Sequence, residues 1–307
     1  MAPDSTVGRR IIAIDDDVLR DWPLPQPEEG GKEDRGRVVI VAGCPEIPGA
    51  GVLAATAALR AGAGKVTIAT PASIAGRMAF AVPESRVIAL EETDDGCIAA
   101  SAAHALEEIA EKADALLVGP GLAYGGATEA LTLALLPLFR NAGIILDAAG
   151  MDIAMSSRGL RFSVPVLLTP HAGEMAKLTG LDKDAIVANP VRTALEASTR
   201  WNAVVALKNA ITHLAAPDGR SWCHDGGNPG LATSGSGDVL AGIIAGLVAR
   251  GAALEQAAAW GIALHARAGE RLAERVGPLG YLARELPAEV PALMAALSPA
   301  HVARAKS

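Results

Sequence analysis

The sequence predicts an α/β fold in which a mostly parallel central sheet carries helices on both faces. Three observations lead there. Short β-branched runs alternate with longer Ala/Leu-rich stretches. Hydrophobic residues make up 50% of the chain but aromatics only 3%, so the core is aliphatic. Many of the 33 glycines fall where strands end, bending or exposing backbone. Strand–helix–strand crossovers require parallel pairing, and strands buried on both faces read as continuous apolar runs.

The elements follow in order. Val38–Val41 is a β-branched run ending at Gly43, and Gly49–Ala61 is an Ala/Leu-rich helix stopped by Gly62. Val66–Ala69 completes the first crossover. Ala115–Val118, Ile144–Leu146 and Val166–Leu168 read as further strands, with Thr128–Arg140 a helix between the first two. Gly173–Thr179 and Pro190–Thr199 are helices. Val204–Leu207 and Thr212–Ala215 are strands, the second closed by the turn Pro217-Asp218-Gly219. The alanine-rich helices Asp238–Ala249, Leu254–Ala273 and Glu285–Leu297 finish the chain. The proline- and charge-rich residues 1–35 read as an extended leader, and residues 36–307 as one domain without internal repeat or mid-chain linker.

Composition excludes several classes of function. A net charge of −7 argues against general nucleic-acid binding. Three cysteines, Cys44, Cys97 and Cys223, at wide spacing give neither a disulfide framework nor a zinc pattern and fit a reducing cytoplasm. The polar N-terminus, with Arg9, Arg10 and consecutive aspartates, lacks a signal peptide's apolar core, and no apolar stretch is long enough for a membrane span. There is no Walker P-loop; Gly119-Pro-Gly121 lacks the third glycine of a dinucleotide fingerprint; Ser236 does not sit in a nucleophile elbow.

Ligands of parallel sheets bind at the carboxyl ends of the strands. The irregular segments fall there: Gly43–Gly51, Gly119–Gly121, Asp147–Gly150, Thr169–Glu174 and Gly226–Asp238. In Asn228-Pro-Gly-Leu-Ala-Thr-Ser-Gly-Ser-Gly-Asp238, the amides of Gly235, Ser236 and Gly237 run into a helix N-terminus. This makes an anion site that needs no lysine. The same residues also suit an ordinary capped helix start, with Asp238 as first-turn acid. Beside an anion cradle, Asp238 is suited to take a hydroxyl proton while the cradle neutralises a transferring phosphoryl group. His171 is placed to contact substrate. Glu174 could hold a metal-bound water or simply start a helix. Lys208 and Thr212 could face a nucleotide across the sheet end, or Lys208 could be a solvated edge lysine.

Taken together, these segments resemble the ADP- or ATP-dependent NAD(P)H-hydrate dehydratases of the ribokinase-like superfamily. The resemblance is carried by Val39-Ile-Val-Ala-Gly-Cys44, Leu59–Thr67, Gly119-Pro-Gly-Leu122, Leu146-Asp-Ala148, Leu168–Glu174, Lys208 with Thr212 and, most specifically, Gly227–Gly242. It implies a three-layer αβα fold without the epimerase domain that many members carry in front. It implies a carbon–oxygen lyase that repairs the S form of hydrated NADH or NADPH. The hydrate hydroxyl would be phosphorylated by ADP (or ATP) with Mg²⁺, and phosphate then eliminated. By motif position, Asp238 is the base and Gly235, Ser236 and Gly237 the anion hole. Lys208, Asn209, Ala210, Ile211, Thr212 and Gly237 touch the adenine nucleotide; Ala50, Gly121, His171 and Asp238 touch the hydrate; Glu174 serves the metal, through water. Cytoplasmic homotetramers are expected. The sequence departs from the family pattern at Asn209, usually glycine, at Ala42-Gly43-Cys44, and at Asp147-Ala-Ala-Gly-Met151, which lacks a second carboxylate. It also lacks the His-Lys-Gly before the first strand. A small-molecule kinase related to hydroxyethylthiazole kinase, or a weakly catalytic nucleotide-binding paralogue, are the alternative readings. The scarcity of aromatics predicts that adenine and nicotinamide lie against aliphatic walls and backbone.

Overall fold

In the computed structural model, residues 11–26, 31–156 and 160–298 are described. The described strands are β1 (Ile11–Ala13), β2 (Arg37–Val41), β3 (Lys65–Pro71), β4 (Arg86–Leu90), β5 (Ala115–Val118), β6 (Gly143–Leu146), β7 (Val166–Leu168), β8 (Val204–Leu207), β9 (Ile211–Ala215) and β10 (Ser221–Asp225). They form one ten-stranded sheet in the order β1-β10-β9-β8-β7-β6-β5-β2-β3-β4. Pairing is parallel from β8 across to β4. The β9–β10 hairpin is antiparallel within itself and to β8, and β1 pairs parallel to β10, so only β9 runs against the rest.

Alternate side chains of β2 divide the core. Val38 and Ile40 join the cluster built from the helices Gly49–Arg60, Ser236–Ala249, Leu254–Arg275 and Leu286–Leu297. Val39 and Val41 join the cluster on the other face, under the helices Gly126–Leu138, Ala172–Thr179 and Pro190–Trp201. β5, β7 and β8 are buried at every residue, which is why they read as unbroken apolar runs.

Helix Ser236–Ala249 is buried almost throughout and lies flush on helix Gly49–Arg60. A Cβ at Gly242 would stand 2.2 Å from the carbonyl oxygen of Ala54, and one at Gly246 would stand 2.5 Å from that of Ala58. The two backbones therefore meet directly, which fixes the height of the first turn holding Asp238.

The leader differs from the sequence-based expectation. Residues 1–10 and 27–30 of it lie outside the described residues, but Ile11–Ala13 extends the sheet as β1, and Leu19 and Leu24 are buried in the core. The Trp22 carbonyl accepts from Trp260 Nε1 at 2.8 Å and from Gln256 Nε2 at 3.1 Å, its indole stacks on Trp222 at 5.7 Å, and Asp16 pairs with Arg267. The leader thus holds a strand and a short helix, Asp16–Asp21, and it packs on the core rather than extending from it. The expectation also misses β4, an edge strand of mixed exposure, and β10, whose Ser-Trp-Cys-His-Asp sequence lacks a clear apolar face. Helix Pro190–Trp201 runs two residues past Thr199, because Asn202 supplies the left-handed stop at φ 55°.

A Gly242→Val substitution should cost about 3 kcal/mol of unfolding free energy in urea titration, since neither backbone can withdraw without displacing the other.

Candidate active site

The segments that follow β2, β5, β6, β7 and β8 meet at one end of the sheet. Gly43 N–H donates to the Pro120 carbonyl at 2.8 Å, and Lys208 N–H to that of Pro170 at 2.8 Å. Gly121, at φ +67°, lies so close to Ala50 and the Ile47 carbonyl that a Cβ would meet them at 2.8 and 2.4 Å. Ala50 and Gly121 are thus neighbours, as the resemblance requires of two groups on one ligand.

At the centre is Asp147, directly after β6 and 3% exposed. Its Oδ1 accepts from Thr169 Oγ1 at 2.6 Å and from Lys208 Nζ at 3.2 Å. The lysine of the sheet end is therefore no solvated edge residue. It folds inward, and its ammonium lies 3.5 Å from where a Gly237 Cβ would stand. This corrects the reading of the anion site as one without a lysine: a cation sits at its mouth. Burial by itself would push the Lys208 pKa down, but Asp147, Glu174 and Asp238 outweigh it and raise it. Lys208 stays charged.

Asp238 occupies the first turn of helix Ser236–Ala249. Burial, reinforced by the charges of Asp147 and Glu174 and opposed by Lys208, pushes its carboxyl up from 3.8 to about 7. That is the range in which a general base is most effective near neutral pH. Gly235 turns the chain into the helix at φ +87°; a Cβ there would strike Leu53 at 2.4 Å. Ser236 is buried, and its Oγ is 2.9 Å from Nε2 of His265. Burial pushes the His265 pKa down to about 4, so the ring is neutral. Upstream, Asn228 Oδ1 accepts from Gly230 N–H and Tyr281 Oη–H, both at 2.9 Å, and Glu270 accepts from Gly227 N–H at 2.7 Å. The loop is fastened at both ends.

His171 caps helix Ala172–Thr179. Its Nδ1 accepts from the amides of Gly173 at 2.9 Å and Glu174 at 3.1 Å, which leaves the proton of the neutral ring on Nε2. The ring is exposed, so it can meet a ligand while capping. Glu174 Oε2 accepts from His171 N–H at 2.8 Å, closing the capping box. Among the described residues no three His, Cys, Asp or Glu side chains are arranged to hold a metal. Glu174 thus starts a helix with one oxygen, and its second oxygen is the group that suits a metal-bound water. Beyond Lys208, Asn209 and Ala210 form the exposed β8–β9 turn, and Ile211 and Thr212 begin β9.

Sequence reasoning placed the segments that Asp147 and Thr169 open at the ligand end of the sheet but gave neither residue a role, and it missed His265 and Tyr281. A charged residue closing the apolar strand Gly143–Leu146 was the available signal for Asp147. Nothing local marks His265 or Tyr281, which reach the loop from helix Leu254–Arg275 and the segment after it.

The family model of NAD(P)H-hydrate dehydratase matches residues 38–292. A curated ADP-dependent (S)-NAD(P)H-hydrate dehydratase of Xanthomonas campestris is 46% identical over 94% of this chain and 97% of its own length. The chain belongs to the NAD(P)H-hydrate dehydratase family. It shares the family's ribokinase-like fold: the ADP/ATP-dependent NAD(P)H-hydrate dehydratase of Bacillus subtilis, co-crystallised with ATP/Mg²⁺, aligns at a TM-score of 0.78 with 25% identity, covering 95% of this chain and 100% of that one. A bifunctional NAD(P)H-hydrate repair enzyme of Moorella thermoacetica is 41% identical over 86% of this chain, which spans about half of that relative (50%). The family resemblance noted in the sequence therefore holds, and it spans residues 38–292.

The raised pKa of Asp238 has a consequence for stability. A carboxyl favoured as the neutral form contributes stability below its unfolded pKa, and that contribution is lost as pH rises through about 7. Asp238→Asn should thus be more stable than wild type at pH 8, by on the order of 2 kcal/mol, and differ little at pH 3, below the unfolded pKa. Thermal melts at the two pH values check this.

Proposed function

We propose that this dehydratase-family chain is an ADP-dependent (S)-NAD(P)H-hydrate dehydratase, with the end of β6, β7 and β8 as its catalytic centre. The observation that carries the proposal is the buried Asp238, titrating near 7, at the N-terminus of an apolar helix and across from a charged Lys208. The hydrate hydroxyl gives its proton to Asp238 as its oxygen attacks the terminal phosphoryl of ADP, and AMP leaves. The amides of Gly235, Ser236 and Gly237, with the Lys208 ammonium at their mouth, neutralise charge on the phosphoryl in flight. Phosphate then departs from the ring carbon and a neighbouring carbon loses its proton, which restores the dihydronicotinamide.

Lys208–Thr212, after β8, opens one side of the sheet end to the adenine nucleotide, and Ala50 and Gly121, after β2 and β5, open the other to the hydrate; His171 stands between them, bridged to Lys208. Ala50 and Gly121 present almost no side chain, so backbone can approach the substrate, and His171 offers Nε2–H. ADP is favoured as donor because the Xanthomonas relative bears that name. The donor set suits a Mg²⁺ carried by the nucleotide's phosphates, as Mg²⁺ binds through a few carboxylates, waters and phosphate oxygens rather than a protein cage. Glu174, through its remaining oxygen and a water, would hold it, and the ion would neutralise phosphate charge. The three free cysteines support a reducing, cytoplasmic setting. Among the described residues no helix is long and apolar enough to cross a membrane. Assembly as a homotetramer belongs to the same reading and rests on the family resemblance.

With (S)-hydrated NADH, ADP and Mg²⁺, absorbance at the dihydronicotinamide band should recover, faster than with ATP. Phosphoryl transfer without that recovery would mark a small-molecule kinase instead. Asp238→Asn should lower turnover roughly 10³-fold while leaving ADP binding within about threefold. The wild-type kcat/KM should fall about tenfold per pH unit below about 7, since the base must be deprotonated. Retained turnover in the variant would remove Asp238 from the base role.

A further inference from the structure

Tyr124 is unusual in a chain with 2 tyrosines and 3% aromatic residues. It stands in the loop after β5, three residues beyond Gly121, with 59% of its surface exposed. Nothing about this exposure is accidental slack in the loop. Leu122 is buried and its N–H donates to the Gly119 carbonyl at 3.0 Å, while Thr128 Oγ1 donates to the Ala123 carbonyl at 2.6 Å. Anchors on both sides hold the ring outward. Lys177, from helix Ala172–Thr179, places its ammonium 5.3 Å from the ring centroid, tying the tyrosine to the helix that His171 caps. Partial burial, and then the carboxylates of Glu174, Asp152 and Asp147, raise the pKa of its hydroxyl. Ile47, whose carbonyl packs on Gly121, is itself 54% exposed. Two large apolar side chains thus stand in water on the rim of the side assigned to the hydrate, each held by a fixed backbone. Leaving such groups exposed has a cost that a ligand's apolar face removes.

We infer that Tyr124 is a preformed platform for a flat heteroaromatic ring of the dinucleotide, and is a binding determinant for that ligand rather than for ADP. The inference rests on the dehydratase reading for the placement of the two ligands. It departs from the expectation, drawn from composition, that both rings lie only against aliphatic walls. A stacking face is sequence-tolerant toward any planar ring, so NADH and NADPH hydrates would use it alike.

The test measures hydrate turnover and, independently, equilibrium binding of NADH through its own fluorescence. Tyr124→Ala should raise the KM for hydrated NADH about tenfold and weaken NADH binding by a similar factor. The kcat and the KM for ADP should stay within about twofold, and Tyr124→Phe should behave as wild type. An unchanged NADH affinity in Tyr124→Ala overturns the inference, as does a rise confined to the KM for ADP or a Phe variant as impaired as Ala. A wild-type protein that binds NADH but recovers none from the hydrate would defeat the dehydratase reading, and the NADH affinities of the two variants would still decide the platform.

Discussion

The site depends on how a few charges are balanced where water is scarce. Asp147, Asp238 and Glu174 surround a single ammonium, Lys208, at the end of the sheet. Asp147 is gripped by Thr169 and Lys208; Asp238, with no hydrogen-bond partner of its own among the described residues, is pushed up to about 7 by burial and by its neighbours' charges. The suitability of Asp238 for the proposed role of base therefore follows from the pairing of a neighbour. An aspartate with its own salt bridge would be a permanent anion and a weak base.

That electrostatic arrangement is useful only if the cradle keeps its place. The first turn of helix Ser236–Ala249 carries both the amides and Asp238, and the helix is set against Gly49–Arg60 by backbone contact at Gly242 and Gly246. Contact between backbones has none of the rotamer freedom of interdigitated side chains, so the carboxylate is positioned to within the tolerance of packed main chain. Because Ala50 begins the facing helix, the same contact also sets the distance between cradle and hydrate side. One packing decision aligns both.

How much of this could be read from residues follows from the range over which each signal acts. The parallel sheet, the helix starts and the Gly235–Asp238 loop were legible because strand burial, capping and amide cradles depend on neighbours within a few positions. β1 escaped because its only partner, β10, lies about two hundred residues away in the chain, and its own sequence of Ile-Ile-Ala is too short to carry a period. Lys208 was legible as a residue of the sheet end but not in its orientation. Whether a lysine after a strand points to solvent or inward is set by Asp147, on a strand two places away in the sheet. The same holds for His265, whose position under Ser236 comes from helix packing alone.

The net charge of −7 takes on a definite meaning beside these carboxylates. An acidic protein that gathers carboxylates at its ligand site repels free anions there, and only groups that match the local amides, the single ammonium or a metal ion escape the repulsion. A phosphoryl group entering the cradle brings more negative charge next to Asp238, which favours its protonated form and so opposes the base role; a cation bound with the phosphates acts in the opposite direction. The charge state of Asp238 is thus coupled to what the neighbouring subsite holds. Such coupling lets a site of mainly negative side chains process two negatively charged ligands without a basic cleft.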